Sequence, residues 1–190
     1  MLPEHFTEEA VIAGFGGQGV VLLGKLLAQA ALRAGYEVTC MTSYGAEVRG
    51  GTANSMVVIS DGPIACPLVS LPDAVIALNT ASLRKFAPRL KPGGLLIVNS
   101  SLVAEPPDRD DLEVLPIPAD RIALDLGSPQ SANMVALGAY LQRRGRPGVE
   151  TAAACLPDVL APRHHKTIPV NRRALLDGAR FVASLAQSPR

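Results

Sequence analysis

The sequence predicts an α/β fold, with three layers (α/β/α) around a Rossmann-like, mostly parallel sheet and a helix-rich C-terminal third. Short apolar runs alternate with helical stretches, several runs are apolar at every position, and helical patterns dominate after residue 118. Continuously apolar strands are typical of a parallel sheet covered by helices. We expect a single domain over residues 1–190, because neither an internal repeat nor a long linker divides the sequence.

The first strand and helix are predicted over residues 10–13 and 18–34. The strand is a short apolar run, and the helix is rich in Ala and Leu. The clearly polar residues of the helix are spaced four apart, from Lys25 to Arg33, and so share one face. Gly35 follows at a position where glycine commonly ends a helix.

The second and third strands are predicted over residues 37–41 and 55–60. Between them, the polar and glycine-rich stretch 43–54 is predicted to be a loop. A turn at Asp-Gly-Pro, residues 61–63, leads to the apolar run 73–79. That run is predicted to be a fourth strand, buried on both faces of the sheet.

A short helix over residues 80–90 and a KPGG turn precede the fifth strand, 95–100. The run LEVLPIP, residues 112–118, is predicted to be an edge strand, because proline cannot donate a hydrogen bond to a neighbouring strand. Helical patterns then dominate to the end of the chain. The remaining helices are predicted over residues 118–126, 131–144, 149–156 and 170–187.

Composition narrows the class of function. Lys and Arg total 18 against 17 Asp and Glu, so the chain lacks the basic excess of a nucleic-acid-binding protein. No apolar run approaches the roughly 18 residues of a membrane span, and the opening MLPEHFTEEA does not resemble a secretory leader, so we expect a cytoplasmic protein. Cys40, Cys66 and Cys155 form no C-x-x-C pair, which argues against a self-contained iron–sulfur site. Cys40 is expected to be buried.

Residues 11–24 read VIAGFGGQGVVLLG and contain the spacing G-x-G-x-x-G. A glycine turn between a strand and a helix favours an anion, because backbone N–H groups at the helix start point outward. A nicotinamide dinucleotide site also needs an acid at the end of the second strand, where this sequence has Thr-Cys-Met. A stand-alone NAD(P)- or flavin-binding oxidoreductase, a nucleotide- or acyl-CoA-binding module, and glycines that serve only strand–helix packing remain the alternatives.

A second motif, SYGAEVRGGTAN at residues 43–54, follows the second strand. In a parallel sheet this position lies beside the first glycine turn, at the carboxyl edge where ligands bind. Arg49 can clamp a carboxylate or phosphate with two hydrogen bonds, and Gly50 and Gly51 would let the backbone pass close to a ligand. The alternative is that Glu47 and Arg49 are ordinary surface charges around a turn.

These two stretches resemble the gamma subunit, or fused gamma domain, of the 2-oxoacid:ferredoxin oxidoreductases. GFGGQGVVLLGKLLAQAA and SYGAEVRGGTAN carry the resemblance, which continues through DGPIACPLV, LPDAVIALN, LKPGGLLIVNSSLV and SPQSANMVALGAYL. It covers most of residues 10–142 and thins toward the C-terminus. The SYG-x-E form resembles the branch that acts on 2-oxoglutarate or related oxoacids more than the indolepyruvate branch.

The resemblance implies a multi-subunit enzyme that converts a 2-oxoacid and coenzyme A into acyl-CoA and carbon dioxide and reduces ferredoxin. It also implies thiamine diphosphate with Mg²⁺ and 4Fe–4S clusters, held by alpha, beta and possibly delta subunits. This chain shows no cysteine cluster and no thiamine-diphosphate motif of its own. We therefore expect the isolated chain to be inactive, with an orphaned partner surface that favours self-association.

Both loops are expected to face the coenzyme A channel or the subunit seam. Backbone amides of the glycine turn and Arg49 would receive negative charge, Gln18 would orient the ligand, and Tyr44 and Glu47 would contact the ligand or a partner subunit. Asn133 begins an apolar helix, as a ligand contact or as a helix-start hydrogen-bonding residue. The candidate site residues are Gly14, Gly16, Gly17, Gln18, Gly19, Ser43, Tyr44, Glu47, Arg49, Gly50, Gly51, Thr52 and Asn133.

Overall fold

Six strands form one sheet in the order β2-β3-β1-β4-β5-β6. The structure is a computed structural model, and it describes residues 5–44, 52–105, 107 and 109–186. The predicted edge strand is confirmed, since β6 is the last strand of the sheet. The strands are β1 (Thr7–Phe15), β2 (Glu37–Tyr44), β3 (Thr52–Ser60), β4 (Ala74–Ala77), β5 (Leu95–Asn99) and β6 (Glu113–Ile117).

One strand runs against the others. β1, β4, β5 and β6 are parallel neighbours, whereas β3 is antiparallel to both β1 and β2. Phe15 pairs with Thr52, and Tyr44 pairs with Ala53. The prediction of a loop over 43–54 was therefore wrong at both ends, where the chain is extended. Strand pairing satisfies the backbone whatever the side chains are, so β2 and β3 extend into polar residues where composition predicts a loop.

Seven helices lie among the described residues: α1 (Val20–Arg33), α2 (Thr80–Phe86), α3 (Ala119–Asp125), α4 (Ala132–Arg144), α5 (Val149–Ala154), α6 (Leu156–Val159) and α7 (Ile168–Leu185). Three turns of 3₁₀ helix accompany them, at Ala87–Arg89, Pro129–Ser131 and Pro162–Thr167. The predicted end of the first helix is confirmed. Gly35 has φ 88°, and Tyr36 N donates to Ala31 O at 3.1 Å, so the last carbonyls of α1 are satisfied.

The helices cover the two faces of the sheet unequally. Ile12, Ile76 and Ile97 belong to the core under α1, α4 and α7, whereas Val11 and Val75 belong to the core on the opposite face. On that opposite face, α2 is the helix that contributes buried residues, together with the segment that leads into β4. The three-layer prediction is confirmed, with most helices on one side.

Helices α4 and α7 meet at their backbones. A Cβ on Gly138 would lie 1.9 Å from Leu175 O, and one on Gly178 would lie 2.0 Å from Val135 O. Neither glycine could carry a side chain at this separation, so the pair sets the distance between the two helices. Helices α4 and α7 therefore pack closely within the core on one face of the sheet.

The C-terminal half of α4 is held to the amino end of the sheet by a hydrogen bond and an ion pair to Glu8. Tyr140 Oη donates to Glu8 Oε1 at 2.8 Å, and Arg144 forms an ion pair with the same carboxylate at 2.9 Å. Burial raises the pKa of Glu8 and raises that of Tyr140 well above its ordinary value. Because α4 is held at this end, its first turn is positioned at the opposite, carboxyl edge of the sheet.

Cys40 is exposed rather than buried, so that expectation was wrong. It lies on β2, which is an edge strand and has a neighbour on one side only. An apolar strand pattern predicts burial for the whole strand, but the place of a strand in the sheet decides how much of it is covered.

Candidate functional site

The glycine turn begins where β1 ends. Gly17 and Gly19 have φ 96° and 74°, a left-handed backbone that side chains other than glycine rarely adopt. Gln18 N donates to Phe15 O at 3.1 Å and closes the turn. Gly19 is the N-cap of α1, and no side chain described by the structure caps this helix. The first N–H groups of α1 therefore remain available to a ligand.

Gln18 joins the ends of two strands. Its Oε1 accepts from Phe15 N at 2.7 Å and from Asn79 Nδ2 at 2.8 Å. Asn79 follows β4 and in turn accepts from Ser82 N at 2.8 Å, which caps α2. These bonds orient the Gln18 amide and leave its Nε2 with a long contact, 3.5 Å, to Leu78 O.

The turn lies at a topological switch point, where the connections after two neighbouring strands run on opposite faces of the sheet. The chain leaves β1 for α1 on one face and leaves β4 for α2 on the other. In open α/β sheets, ligands bind in the crevice outside the carboxyl ends of strands at such a point. A cavity of about 160 Å³ opens here. It is lined by Gly17, Gln18, Leu78, Asn99, Asp120, Pro129, Gln130, Ala132 and Asn133.

Asn133 reaches this cavity from the first turn of α4. Its side chain is 8% exposed, and its Oδ1 accepts from Met134 N at 2.8 Å. That bond identifies Nδ2 as the atom facing Gly19, where an added Cβ would stand 2.1 Å away. The predicted helix-start hydrogen bond is therefore present. A contact from Asn133 to a ligand stays a prediction.

Sequence reasoning missed three other polar side chains that line the crevice, Asn99, Asp120 and Gln130, and it missed Asn79, which bonds Gln18. Asn99 Nδ2 donates to Asp120 Oδ2 at 2.5 Å, and Asn99 Oδ1 accepts from Ser101 N at 3.3 Å. A signal was present, because each of the two asparagines is the polar residue that directly follows an apolar strand. Their meeting with the glycine turn depends on strand order, which local patterns do not report.

The described ends of the second motif, residues 43–44 and 52–54, lie at the same edge of the sheet, although by a different route from the one expected. Its predicted position assumed that β2 is parallel to β1 and beside it, whereas β3 separates them. Thr52 begins β3 opposite Phe15, and Ser43 is exposed on β2. Neither lines the cavity. Glu47, Arg49, Gly50, Gly51 and the side chain of Tyr44 lie outside the described residues.

The strand order also bears on the dinucleotide alternative. A dinucleotide site takes its ribose-binding acid from the end of a parallel strand next to β1. Here the neighbour on that side is the antiparallel β3, which presents Thr52, Ala53 and Asn54 at this edge. None of the three carries a carboxylate, so the geometry disfavours a nicotinamide dinucleotide.

Charge is sparse around the cavity. Asp120 is its one ionisable residue, and its described lining contains no Lys or Arg. Among the residues that the structure describes, no group of three or more His, Cys, Asp or Glu could hold a metal ion. Cys40 and Cys66 are exposed and Cys155 is buried elsewhere, so the residues present do not fit an iron–sulfur cluster.

Two further observations bound the search for a site. A larger groove of about 290 Å³ lies beside α2, lined by Leu83 and Pro88 among others, but it contains none of the sequence-predicted residues. Within the described part of the chain, no helix is both long and apolar enough to cross a membrane. Because it is lined by sequence-predicted residues, the crevice at the glycine turn is a better candidate site than the groove beside α2.

Comparison with known proteins gives a family. The model of the pyruvate ferredoxin/flavodoxin oxidoreductase family matches residues 9–181. The 2-oxoglutarate synthase subunit KorC of Methanothermobacter thermautotrophicus is 35% identical, over 91% of this chain and 97% of KorC. The ketoisovalerate oxidoreductase subunit VorA of Methanothermobacter marburgensis is 37% identical, over 73% of this chain but 29% of VorA. The chain thus spans under a third of VorA and nearly all of KorC.

Solved structures agree. The gamma subunit of keto/oxoacid ferredoxin oxidoreductase from Geobacter sulfurreducens has a TM-score of 0.81 at 31% identity, covering 93% of this chain and 99% of that one. The 2-oxoglutarate:ferredoxin oxidoreductase of Magnetococcus marinus has a TM-score of 0.85 at 27% identity, covering 96% of this chain and 32% of that one. Both similarities confirm the predicted fold. This chain belongs to the pyruvate ferredoxin/flavodoxin oxidoreductase family, as its two glycine-containing motifs predicted.

Proposed function

We propose that this chain is the gamma subunit of a multi-subunit 2-oxoacid:ferredoxin oxidoreductase, most closely of the 2-oxoglutarate type. The reaction takes a 2-oxoacid, coenzyme A and oxidised ferredoxin to acyl-CoA, carbon dioxide and reduced ferredoxin. The end-to-end match to KorC carries the proposal, because 97% of that subunit corresponds to 91% of this chain. The match to a separate gamma subunit of the same extent supports it.

The proposed partners are alpha and beta subunits, with a possible delta subunit, and ferredoxin reached through the complex. Thiamine diphosphate, Mg²⁺ and 4Fe–4S clusters supply decarboxylation and electron transfer when bound, and we assign them to the partners. The described residues of this chain offer no ligand group for a metal. The chain would contribute one wall of the coenzyme A site and part of the assembly surface.

The proposed coenzyme A contact is the glycine turn at the start of α1. This helix has 14 residues, and its N-terminal N–H groups carry no side-chain cap among the described residues. The partial positive charge of such an end favours phosphate. Arg49, predicted from the sequence, would add a charged donor to the same ligand. Gln18 would hold the turn in shape rather than react.

The test is purification of the native complex through this chain, followed by assay of ferredoxin reduction. Substrates would be pyruvate, 2-oxoglutarate and a branched-chain 2-oxoacid, each with and without coenzyme A. We expect a thiamine-containing partner to co-purify and 2-oxoglutarate to be the best substrate. Recovery of no such partner, together with saturable NAD(H) binding to the chain, would support the stand-alone oxidoreductase instead.

A further inference from the structure

The face of the sheet that carries α2 has little helix to cover it. α2 has seven residues, and the loops before β4 and after β5 complete the cover. Val69 and Val103 anchor these loops in the core below α2. Beside them, Leu68, Leu71 and Leu102 are 56%, 58% and 50% exposed. Three large apolar side chains are therefore left in contact with solvent on the two loops that flank one short helix.

Hydrogen bonds attach both loops to α2 and to the 3₁₀ turn that follows it. Thr80 Oγ1 donates to Leu102 O at 3.3 Å. Arg89 Nε donates at 3.2 Å to Ser70 O, in the loop that carries the other two leucines. The three leucines and the exposed residues of α2 thus belong to one surface, which we call the α2 face. Exposed apolar groups that cluster in this way mark interaction sites, whereas scattered ones do not.

The α2 face is also basic. Residues 74–104 contain four Lys and Arg and no Asp or Glu. One of the four pairs with carboxylates at the amino end of the sheet. The other three, Arg84, Lys85 and Arg89, have no carboxylate partner among the described residues. Lys85 Nζ and Arg89 Cζ lie 5.3 and 5.7 Å from the centroid of the Phe86 ring, so both cations are held beside apolar surface.

A second copy of the chain does not suit this face. Two copies related by a twofold axis bring the same patch together, so unpaired cations would meet cations. Glu105 is the one carboxylate in the described lining of the groove beside α2, and it leaves the positive charge in excess. An acidic and partly apolar protein surface would complement both the cations and the leucines. The apolar content favours a permanent subunit, because obligate interfaces are more hydrophobic than transient ones.

The longer relatives indicate which subunit this is. The present chain covers 32% of the Magnetococcus marinus chain and 29% of VorA. In both proteins the matched region is therefore under a third of a longer chain, and part of its surface is available to the protein joined to it. In the proposed complex, on which this inference rests, a separate subunit would take the place of that additional protein.

We propose that the α2 face binds the subunit that corresponds to the rest of those longer relatives, through an apolar patch bordered by Asp or Glu. The three leucines pack against the apolar patch. Arg84 and Lys85 pair with the carboxylates at its border, and Arg89 holds the loop before β4 in place for this contact.

Four single variants separate the α2 face from the rest of the surface. Leu71→Asp places a carboxylate in its apolar part. Leu124→Asp is the matched control, because Leu124 is 59% exposed on α3, which packs on the opposite face of the sheet. Lys85→Glu reverses one cation of the α2 face, and Lys166→Glu makes the same change at an exposed position before α7. Thermal unfolding of the full chain reports whether each variant folds.

The experiment is co-expression of the full, tagged chain with the other subunits, purification through the tag, and quantitative mass spectrometry of the recovered partner. Leu71→Asp should reduce the recovered partner about tenfold, because the interface would bury an unpaired carboxylate. Lys85→Glu should reduce it at low salt and less at high salt, as expected for an ion pair. Both controls should match wild type.

Chemical cross-linking tests the charge of the partner directly. A carbodiimide couples a lysine amine to a carboxylate in contact with it. In the wild-type complex we expect Lys85 to be coupled to an Asp or Glu of the partner subunit, and Lys166 to remain uncoupled to that subunit. This measurement does not depend on the folding of any variant.

A folded Leu71→Asp or Lys85→Glu chain that recovers the partner at the wild-type level in low salt would overturn the inference and leave the proposed function standing. An equal loss in the two controls, or coupling of Lys85 to a second copy of the chain, would overturn it as well. So would binding of wild type, but not Lys85→Glu, to vesicles of phosphatidylserine and phosphatidylcholine, since the face would then bind a membrane. Recovery of no partner by wild type would overturn the proposed function together with the inference.

Discussion

The side-chain nitrogen of Asn133 lies against Gly19, so close that a Cβ on Gly19 would stand 2.1 Å from it. The first turns of α1 and α4, which are distant in sequence, therefore lie next to each other. The contact depends on the placement of α4, which is set by its backbone contact with α7 and by the Glu8–Tyr140 hydrogen bond. The shape of the glycine turn is therefore a property of the whole fold.

Gly19→Ala should destabilise the protein, because the new Cβ meets Asn133 and the backbone has φ 74°. We expect a loss of about 1–3 kcal/mol in the free energy of unfolding, measured with urea. Gly16→Ala is the control, since nothing lies within 4 Å of the added Cβ and φ is not positive there. Equal stability of the two variants would show that the turn relaxes freely.

Gln18 and Asn79 should be energetically coupled through their 2.8 Å hydrogen bond. Gln18→Leu removes the shared acceptor, and Asn79→Ser removes the donor but keeps an oxygen to cap α2. A double-mutant cycle in urea should give a coupling of about 1 kcal/mol. Additive losses would mean that the bond contributes nothing to holding β1 and β4 together at this edge.

Glu8 should make stability depend on pH. Burial raises the pKa of its carboxyl in the folded state, against the opposing effects of Arg144 and Tyr140. The folded state therefore binds the proton more tightly than the unfolded state, and this contribution is full below the unfolded pKa and lost as pH rises through the folded pKa. The comparison is wild type with Glu8→Gln, which keeps an acceptor for Tyr140, in urea from pH 4 to 8.

The stability of wild type relative to Glu8→Gln should fall as pH increases over that range and then level off. Glu113→Gln is the matched control for removal of a carboxylate, because Glu113 pairs with Arg143 at a more exposed position. If the advantage of wild type instead grew with pH, the attraction of Arg144 would dominate over burial, and the direction assigned to the Glu8 pKa would be wrong.

Arg49→Lys should raise the KM for coenzyme A in the assembled complex about five- to tenfold and leave assembly intact, because a lysine cannot form the bidentate pair. Steady-state kinetics with ferredoxin and gel filtration check the two parts. Arg180→Lys, at a surface ion pair with Asp177, controls for the substitution itself. Unchanged kinetics would remove Arg49 from the site.

Local patterns were sufficient for much of this molecule. The apolar runs predicted β4 and β5, the spacing of polar residues predicted α1, and Gly35 marked its end. These features depend on the spacing of apolar residues and on the conformational freedom of glycine, and both can be recognised from residues close together in the sequence. The glycine turn could be recognised for the same reason, since its spacing reflects positive φ and close approach within one short segment.

Strand order was beyond such patterns. That β3 is antiparallel and lies between β1 and β2 could not be deduced, because hairpin pairing uses backbone groups that every residue has. The same holds for the polar lining of the cavity. Asn79 follows β4 and Asn99 ends β5, and each alone predicts only a helix cap or a turn. Asn79 meets Gln18 because β4 lies beside β1, and Asn99 meets Asp120 because β6, which leads into α3, lies beside β5.

The amino-acid pattern alone determined the family, the parallel core and the presence of a glycine turn between β1 and α1, because those depend on residue type at short spacing. Tertiary structure decided what surrounds the turn: an amide-lined cavity on one side, a hairpin on the other, and Asn133 against Gly19. Hydrogen bonds and steric contacts act over a few ångströms in space, and only the folded chain bonds Gln18 to Asn79 and places Gln18, Asn99 and Asn133 around one cavity.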